Sequence, residues 1–275
     1  MAVEISGASV TVEGNGLRHH VLQYGDTEAP DLLVIPGITS PAATADFLAV
    51  LLADWGYRVH VPDVRGRGRS DRALPGCYRL TDYADDVAAV VDALGLRRPA
   101  LLGHSMGARI AAAYAVTHAG ADRGPLLLVD PPTSGPGRGP YPTTREQFLT
   151  QLHEAQRGTT ADEVRRFYPH WPERELALRA EVLASCDETA VVETHAGFET
   201  EDFFVYWRKL TAPAVLIRGG VSPVVPDDAV ADLRRSNPAI DIVTVPDAGH
   251  MVPWDNLEGF LDAARPYLHH PDRTR

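Results

Sequence analysis

Pro99-Ala100-Leu101-Leu102-Gly103-His104-Ser105-Met106-Gly107-Ala108 is the stretch on which the reading of this chain turns. An apolar run at 99–102 ends in glycine and a small-residue helical stretch opens at Met106, which places Ser105 on a strand-to-helix turn. A serine on so sharp a turn needs neighbours without side chains, because the backbones pack closely there while the hydroxyl projects into a cleft. Gly103 and Gly107 meet that need, giving a G-x-S-x-G elbow in the strand–turn–helix context it requires. The pentapeptide alone also fits a glycine-rich turn with an incidental serine, so the rest of the chain has to decide.

Outward from the elbow, apolar runs of about five residues alternate with helical periodicity. Runs at 32–35, 57–61, 100–102 and 126–129 read as strands, and 43–53, 81–94 and 106–118 as helices. Short continuous apolar strands separated by helices indicate a parallel sheet covered on both faces. At the N-terminus, 8–13 and 17–24 flank Gly14-Asn15-Gly16 and predict an antiparallel hairpin. The segment 131–142 is rich in Gly, Pro and Ser, and the stretch after it is charged and helical, with helices predicted over 145–157, 161–168, 173–185 and 201–210. Alternation resumes with strands at 214–217 and 240–245 and helices at 227–235 and 257–268. The expected fold class is therefore α/β, a mostly parallel doubly wound sheet. Residues 1–140 and 211–275 form its core domain, with 141–210 inserted as a helical cap and the tail at 271–275 frayed.

Composition narrows the function. The 275 residues carry 26 Lys and Arg against 37 Asp and Glu, a formal net charge of −11, and such a field repels polyphosphate. Nucleic acid is a poor partner on that ground. The loop Asp63-Val64-Arg65-Gly66-Arg67-Gly68-Arg69-Ser70 is locally basic but lacks the helix-opening Gly-Lys-Ser/Thr of a phosphate loop. With no basic stretch leading into an apolar run, and no uninterrupted apolar run near the ~18 residues of a span, a soluble cytoplasmic protein with no membrane partner is expected. Two cysteines, Cys77 and Cys186, make neither a disulfide framework nor a zinc site, so no metal is expected. A core of this size needs no oligomer in order to fold.

A serine nucleophile needs a base, an acid to orient the base, and donors for the oxyanion. Of the eleven histidines, His250 in Pro246-Asp247-Ala248-Gly249-His250-Met251 follows the last apolar strand and precedes the last helix. It is the candidate base. His19, His20, His269 and His270 read as solvated, His118 as ending a helix, His60 as part of a strand and His104 as packing beneath the elbow. In the chain order Ser…Asp/Glu…His the acid falls between 105 and 250 at a strand end. The loop after 214–217, its common place, carries Ser222 where an aspartate is usual. Asp130, the first polar residue after the apolar strand 126–129, is favoured, and Asp227 and Asp228, which read as helix N-terminal residues, are the alternatives. For the oxyanion, the Met106 N–H at the helix start and the Ile38 N–H in Pro36-Gly37-Ile38-Thr39-Ser40 are the candidates.

These motifs, in this order, resemble the α/β-hydrolase superfamily over nearly the whole chain. The segments 36–41, 103–109, 129–138 and 248–255 look more narrowly like its N-formylmaleamate deformylase family, of nicotinate degradation. In that family the acid follows the sixth strand, which supports Asp130 and accounts for Ser222. The resemblance implies cofactor-free hydrolysis of a small anionic N-acyl amide. Such a substrate on an acidic protein requires a local cation, and Arg138, Arg165 and Arg166 are the candidates, with Tyr168 closing the pocket. The competing readings are the related acetamidomethylene-succinate hydrolases, an ester or carbon–carbon hydrolase, and a ligand receptor on a hydrolase fold.

Overall fold

The computed structural model describes residues 3–120 and 122–268. The expectation about the tail at 271–275, and those for His269 and His270, lie outside them.

The chain opens with the antiparallel strands β1 (Ala8–Gly14) and β2 (Leu17–Tyr24), turning at Asn15 and Gly16, both with positive φ. Then follow β3 (Asp31–Ile35), α1 (Asp46–Asp54), β4 (Arg58–Pro62), α2 (Leu80–Leu94), β5 (Ala100–His104), α3 (Met106–Tyr114) and β6 (Leu126–Val129). Five helices come next: α4 (Arg145–Gln156), α5 (Ala161–Arg165), α6 (Glu173–Val182), α7 (Glu188–Thr200) and α8 (Phe204–Trp207). The chain closes with β7 (Ala214–Gly219), α9 (Asp227–Ser236), β8 (Asp241–Val245), α10 (Val252–Asp255) and α11 (Leu257–Leu268).

The eight strands form one sheet in the order β1-β2-β4-β3-β5-β6-β7-β8, parallel from β4 to β8. Period-two alternation splits the central strands between two cores. Leu33, Ile35, Leu101, Leu128 and Leu216 face α2, α3 and the inserted helices, while Leu32, Val34, Leu102, Val129 and Ile217 face α1 and α11. All of them are buried, and each such side chain contributes about 1.5–3 kcal/mol over leaving it exposed. From β3 the chain runs to β4 on one side and then crosses to β5 on the other. The strand order therefore switches between β3 and β5, where open α/β sheets leave a crevice at their C-terminal ends.

The inserted helices differ from the sequence reading in one respect. A 13-residue helix, α7, occupies 188–200, where none was expected, and the helix expected at 201–210 shrinks to the single turn of α8. Thr189, Val191, Val192, Thr194 and Gly197 give α7 weak propensity, and its apolar residues do not repeat cleanly at helical spacing. Tertiary contacts override this: Ala190, Val191 and Phe198 lie in the core, Asp187 caps the helix by accepting from the Ala190 N–H at 3.0 Å, and buried Arg67 donates to Thr194 Oγ1 at 3.0 Å. The helix read over 106–118 is α-helical to Tyr114 and finishes in one π-turn, Ala115–Ala119, at Gly120.

His19 and His20 are buried rather than solvated. His20 bridges Asp63 (2.7 Å) and Ser9 (2.8 Å), and His19 reaches the Gly14 carbonyl (3.1 Å). The loop after β4 turns its acid inward: Asp63 accepts from the Ala42 and Arg69 amides, and a Cβ on Gly68 would fall 2.1 Å from its carboxyl carbon. No described helix is long and apolar enough to cross a membrane.

Candidate active site

Ser105 stands between β5 and α3 with φ 57° and ψ −120°, a conformation that costs strain in any residue but glycine. The neighbours explain how it is held. A Cβ on Gly103 would lie 2.2 Å from the Gly107 carbonyl oxygen, and one on Gly107 would lie 1.9 Å from that of Ile35. The elbow is thus wedged against β3 so tightly that only glycine fits at either flank. The Ser105 N–H donates to the Val129 carbonyl at 2.8 Å, extending the β5–β6 ladder by one bond and setting the serine beside the end of β6.

Asp130 follows β6 with φ 46° and is fully buried. Its own N–H donates to the Ile217 carbonyl at 2.8 Å. The carboxylate accepts three hydrogen bonds: His250 Nδ1–H at 2.7 Å and Ser222 Oγ–H at 2.5 Å, both on Oδ2, and the Gly219 N–H at 3.0 Å on Oδ1. The opposite nitrogen of His250, Nε2, accepts from Ser105 Oγ–H at 2.9 Å. Ser105, His250 and Asp130 are therefore one connected chain. Asp227 and Asp228 are apart from it on the first turn of α9, where Asp227 pairs with Arg218. Ser222, which occupies the position of the missing aspartate, holds the acid from the neighbouring loop.

The loop that carries Ile38 lies against the elbow, a Cβ on Gly37 falling 3.4 Å from Ser105 Cβ, and Met106 follows Ser105 at the start of α3. Gly37 O accepts from Ser40 N–H at 3.1 Å, fixing the 37–38 peptide plane and so turning the Ile38 N–H the opposite way. Two buried guanidinium groups hold the next carbonyls: Arg67 Nε–H donates to Ile38 O (3.0 Å) and Arg179 Nη1–H to Thr39 O (2.8 Å). Neither the Ile38 nor the Met106 amide donates to a protein acceptor among the described residues.

Ser105, His250 and the loop from Gly37 to Ser40 line a cavity of about 170 Å³, together with His104, Tyr141, Phe148, Gln151, Tyr168 and Arg179. His104 donates from Nε2 to the His250 carbonyl at 2.9 Å, leaving Nδ1 buried without a partner. Burial, assisted by the neighbouring His250, pushes its pKa down to about 3, so it is a neutral wall. The Tyr141 hydroxyl lies 3.4 Å from His250 Nε2, and burial raises its pKa, keeping the phenol protonated. Tyr168 stacks on Trp171 (4.1 Å between centroids), Trp171 on Trp254 (5.5 Å), and Trp254 lies against His104 (5.4 Å), a ring column from the inserted helices to the core. No group of three or more His, Cys, Asp or Glu side chains is placed to hold a metal among the described residues.

The structure brings Tyr168 to the cavity but not the three arginines read as carboxylate ligands. Arg138 pairs with Asp232 (2.9 Å) over the Phe204 ring and lines a separate groove. Arg165 pairs with Glu173 and Asp162, and Arg166 faces Glu154 on the exposed side of the inserted helices. Arg165 and Arg166 lie on the charged, solvent-facing side of the inserted helices, and Arg138 is largely buried between the Phe204 ring and Asp232; acidic neighbours neutralise all three. Among the described residues the cation on the cavity wall is Arg179, which sequence reasoning missed. Its signal was faint: an arginine between Leu178 and Ala180 in a helix otherwise rich in surface charge.

A family model for the α/β-hydrolase fold matches residues 30–257. An N-formylmaleamate deformylase of Pseudomonas putida is 40% identical over 272 residues, 98% of this chain and 99% of its own. A 2-(acetamidomethylene)succinate hydrolase of Mesorhizobium japonicum is 30% identical over 232 residues, 81% of this chain and 82% of its own. Among solved structures, an N-formylmaleamic acid deformylase from another Pseudomonas putida strain superposes with a TM-score of 0.86 at 42% identity, covering 94% of this chain and all of that one.

Proposed function

We propose that this chain, which belongs to the α/β-hydrolase family, hydrolyses the N-formyl group of a small acidic amide, N-formylmaleamate, to maleamate and formate. The observation that carries the reading is the unbroken chain Ser105 Oγ–His250–Asp130 beside two undonated amides, in a chain 40% identical over 272 residues to an N-formylmaleamate deformylase.

Ser105 Oγ attacks the formyl carbon as His250 Nε2 takes its proton. The carbonyl oxygen becomes an oxyanion held by the Ile38 and Met106 N–H groups. His250, kept in the right tautomer by Asp130, then gives the proton to the departing nitrogen, and maleamate leaves. That nitrogen is itself an amide nitrogen, so the bond resembles an imide and breaks more readily than a peptide bond. Water, deprotonated by His250, attacks the formyl-serine, and His250 returns that proton to Ser105 Oγ as the ester bond breaks and formate departs. Protein groups and water suffice for every step.

The nearness of the Tyr141 hydroxyl to His250 supports a small acyl group. Residues 141–210 act as a cap that closes the cavity through Tyr141, Phe148, Tyr168 and Arg179. A small soluble metabolite as substrate fits a cytoplasmic enzyme.

The test is formate release from N-formylmaleamate by the purified protein, with Ser105→Ala and the N-acetyl analogue in parallel. Many turnovers, lost in Ser105→Ala, are expected. Acetate from the analogue without formate from the formyl substrate would move the assignment to the acetamidomethylene-succinate type of hydrolase. A single burst without turnover would indicate a ligand receptor.

A further inference from the structure

Arg179 is 4% exposed on α6, inside the Ser105 cavity. Nη1 and Nη2 donate to Thr39 O (2.8 Å) and Thr39 Oγ1 (3.0 Å), the Tyr168 ring lies 5.5 Å from Cζ, and Nε is buried with no partner. Among the described residues no carboxylate pairs with it, whereas Arg138, Arg165 and Arg166 are each matched by an acid. No Asp or Glu among the described residues lines the cavity either.

A desolvated cation without a counter-ion is costly unless something supplies the missing charge, and a guanidinium offers paired donors that fit a carboxylate. Among the other buried arginines, Arg65 is paired with Asp86, and Arg123, whose Nε is likewise without a partner, donates to the carbonyls of Gly124, Thr211 and Pro213 away from the cavity. Arg67 is ringed by carbonyl and hydroxyl acceptors, and Arg109 by the carbonyls that end α7. Of these five buried arginines, Arg179 is the one on the wall of the Ser105 cavity, with a donor to spare.

We propose that Arg179 selects substrates bearing a carboxylate, by pairing with that group while the acyl carbon faces Ser105. The inference rests on the Ser105 cavity being the acyl-amide site. Its chemistry is that of one short acid: an amide with a carboxylate a few bonds from the scissile nitrogen.

The experiment measures binding rather than turnover. Maleamate and its methyl ester are titrated calorimetrically into Ser105→Ala and into Ser105→Ala/Arg179→Gln. Maleamate is expected to bind Ser105→Ala at least about tenfold more tightly than the ester, and Arg179→Gln to weaken maleamate about ten- to a hundredfold while leaving the ester within about threefold. Equal binding of acid and ester to Ser105→Ala, or equal weakening of both by Arg179→Gln, would overturn the proposal, the second outcome making Arg179 a support for the Thr39 loop. Arg179→Lys guards against misfolding of the glutamine variant: it keeps the charge, and is expected to retain a reduced preference for the acid. Formate release without this preference would sink the inference alone, and preference without formate release would sink the reaction alone.

Discussion

Ser222 Oγ lies 2.5 Å from Asp130 Oδ2, the same carboxylate oxygen that accepts the His250 Nδ1–H at 2.7 Å. The serine thus neutralises part of the buried charge and fixes the oxygen on which the imidazole turns. Ser222→Ala removes a donor to an ionised group and is expected to lower kcat about ten- to a hundredfold, with KM little changed and the fold intact. Steady-state kinetics on N-formylmaleamate check this; an unchanged kcat would show that the Gly219 N–H alone orients the acid.

Asp130→Asn keeps the size of the side chain but reverses what Nδ1 of His250 meets, favouring the tautomer that cannot take the serine proton. A roughly ten-thousandfold fall in kcat is expected, with an unaltered circular dichroism spectrum. Asp227→Asn and Asp228→Asn, both on the outer turn of α9, are expected to leave kcat within about twofold, as surface changes generally do.

Gly107→Ala places a Cβ 1.9 Å from the Ile35 carbonyl oxygen, a backbone atom of a central strand that has nowhere to move. The expected cost is at least about 3 kcal/mol of unfolding free energy. Gly139→Ala, with nothing within 4 Å of the new Cβ, is the control and is expected to be near neutral. Urea unfolding of the two variants compares them, and equal midpoints would contradict the wedge.

His104 has its folded-state pKa pushed down to about 3, whereas an unfolded histidine titrates near 6.5. Between those values the unfolded chain binds the extra proton, so stability falls as pH falls, at up to about 1.4 kcal/mol per pH unit from this one group. His60, lowered chiefly by burial, adds in the same direction. Thermal unfolding from pH 7 to 4.5 is expected to show a shallower decline for His104→Gln than for the parent. Parallel declines would show that His104 is charged in the fold.

The sheet and the elbow were legible because their constraints are local. Gly103 and Gly107 mark the close contact of backbones, and the apolar runs mark strands buried on both faces. Ser105, Asp130 and His250 could be placed at strand ends for the same reason, and the structure sets Ser105 and Asp130 each within hydrogen-bonding distance of His250. The helix α7 was not legible, since Thr194 and Gly197 argue against a helix and only contacts with distant residues such as Arg67 favour it. Arg179 escaped notice because nothing in its own segment separates a buried guanidinium from a solvated one. Arg138, Arg165 and Arg166 were chosen by position along the chain, and acids far away in sequence, such as Asp232 for Arg138, decide where such groups turn.

The five inserted helices leave the sheet at Asp130 and return at β7, and β6 and β7 are neighbours paired directly from Leu126↔Ala214 to Val129↔Ile217. To the sheet, the whole insertion is a single loop between two adjoining strands. Lengthening such a loop costs little, about 0.6 kcal/mol per doubling, because closure entropy grows only logarithmically. The sheet therefore tolerates an insertion of this length at little entropic cost, while Ala190, Val191, Phe198 and Trp207 tie the inserted helices into its core. A set of helices that keeps those core contacts can differ in what it presents to the cavity, while the serine, the imidazole and the carboxylate stay where the sheet has put them.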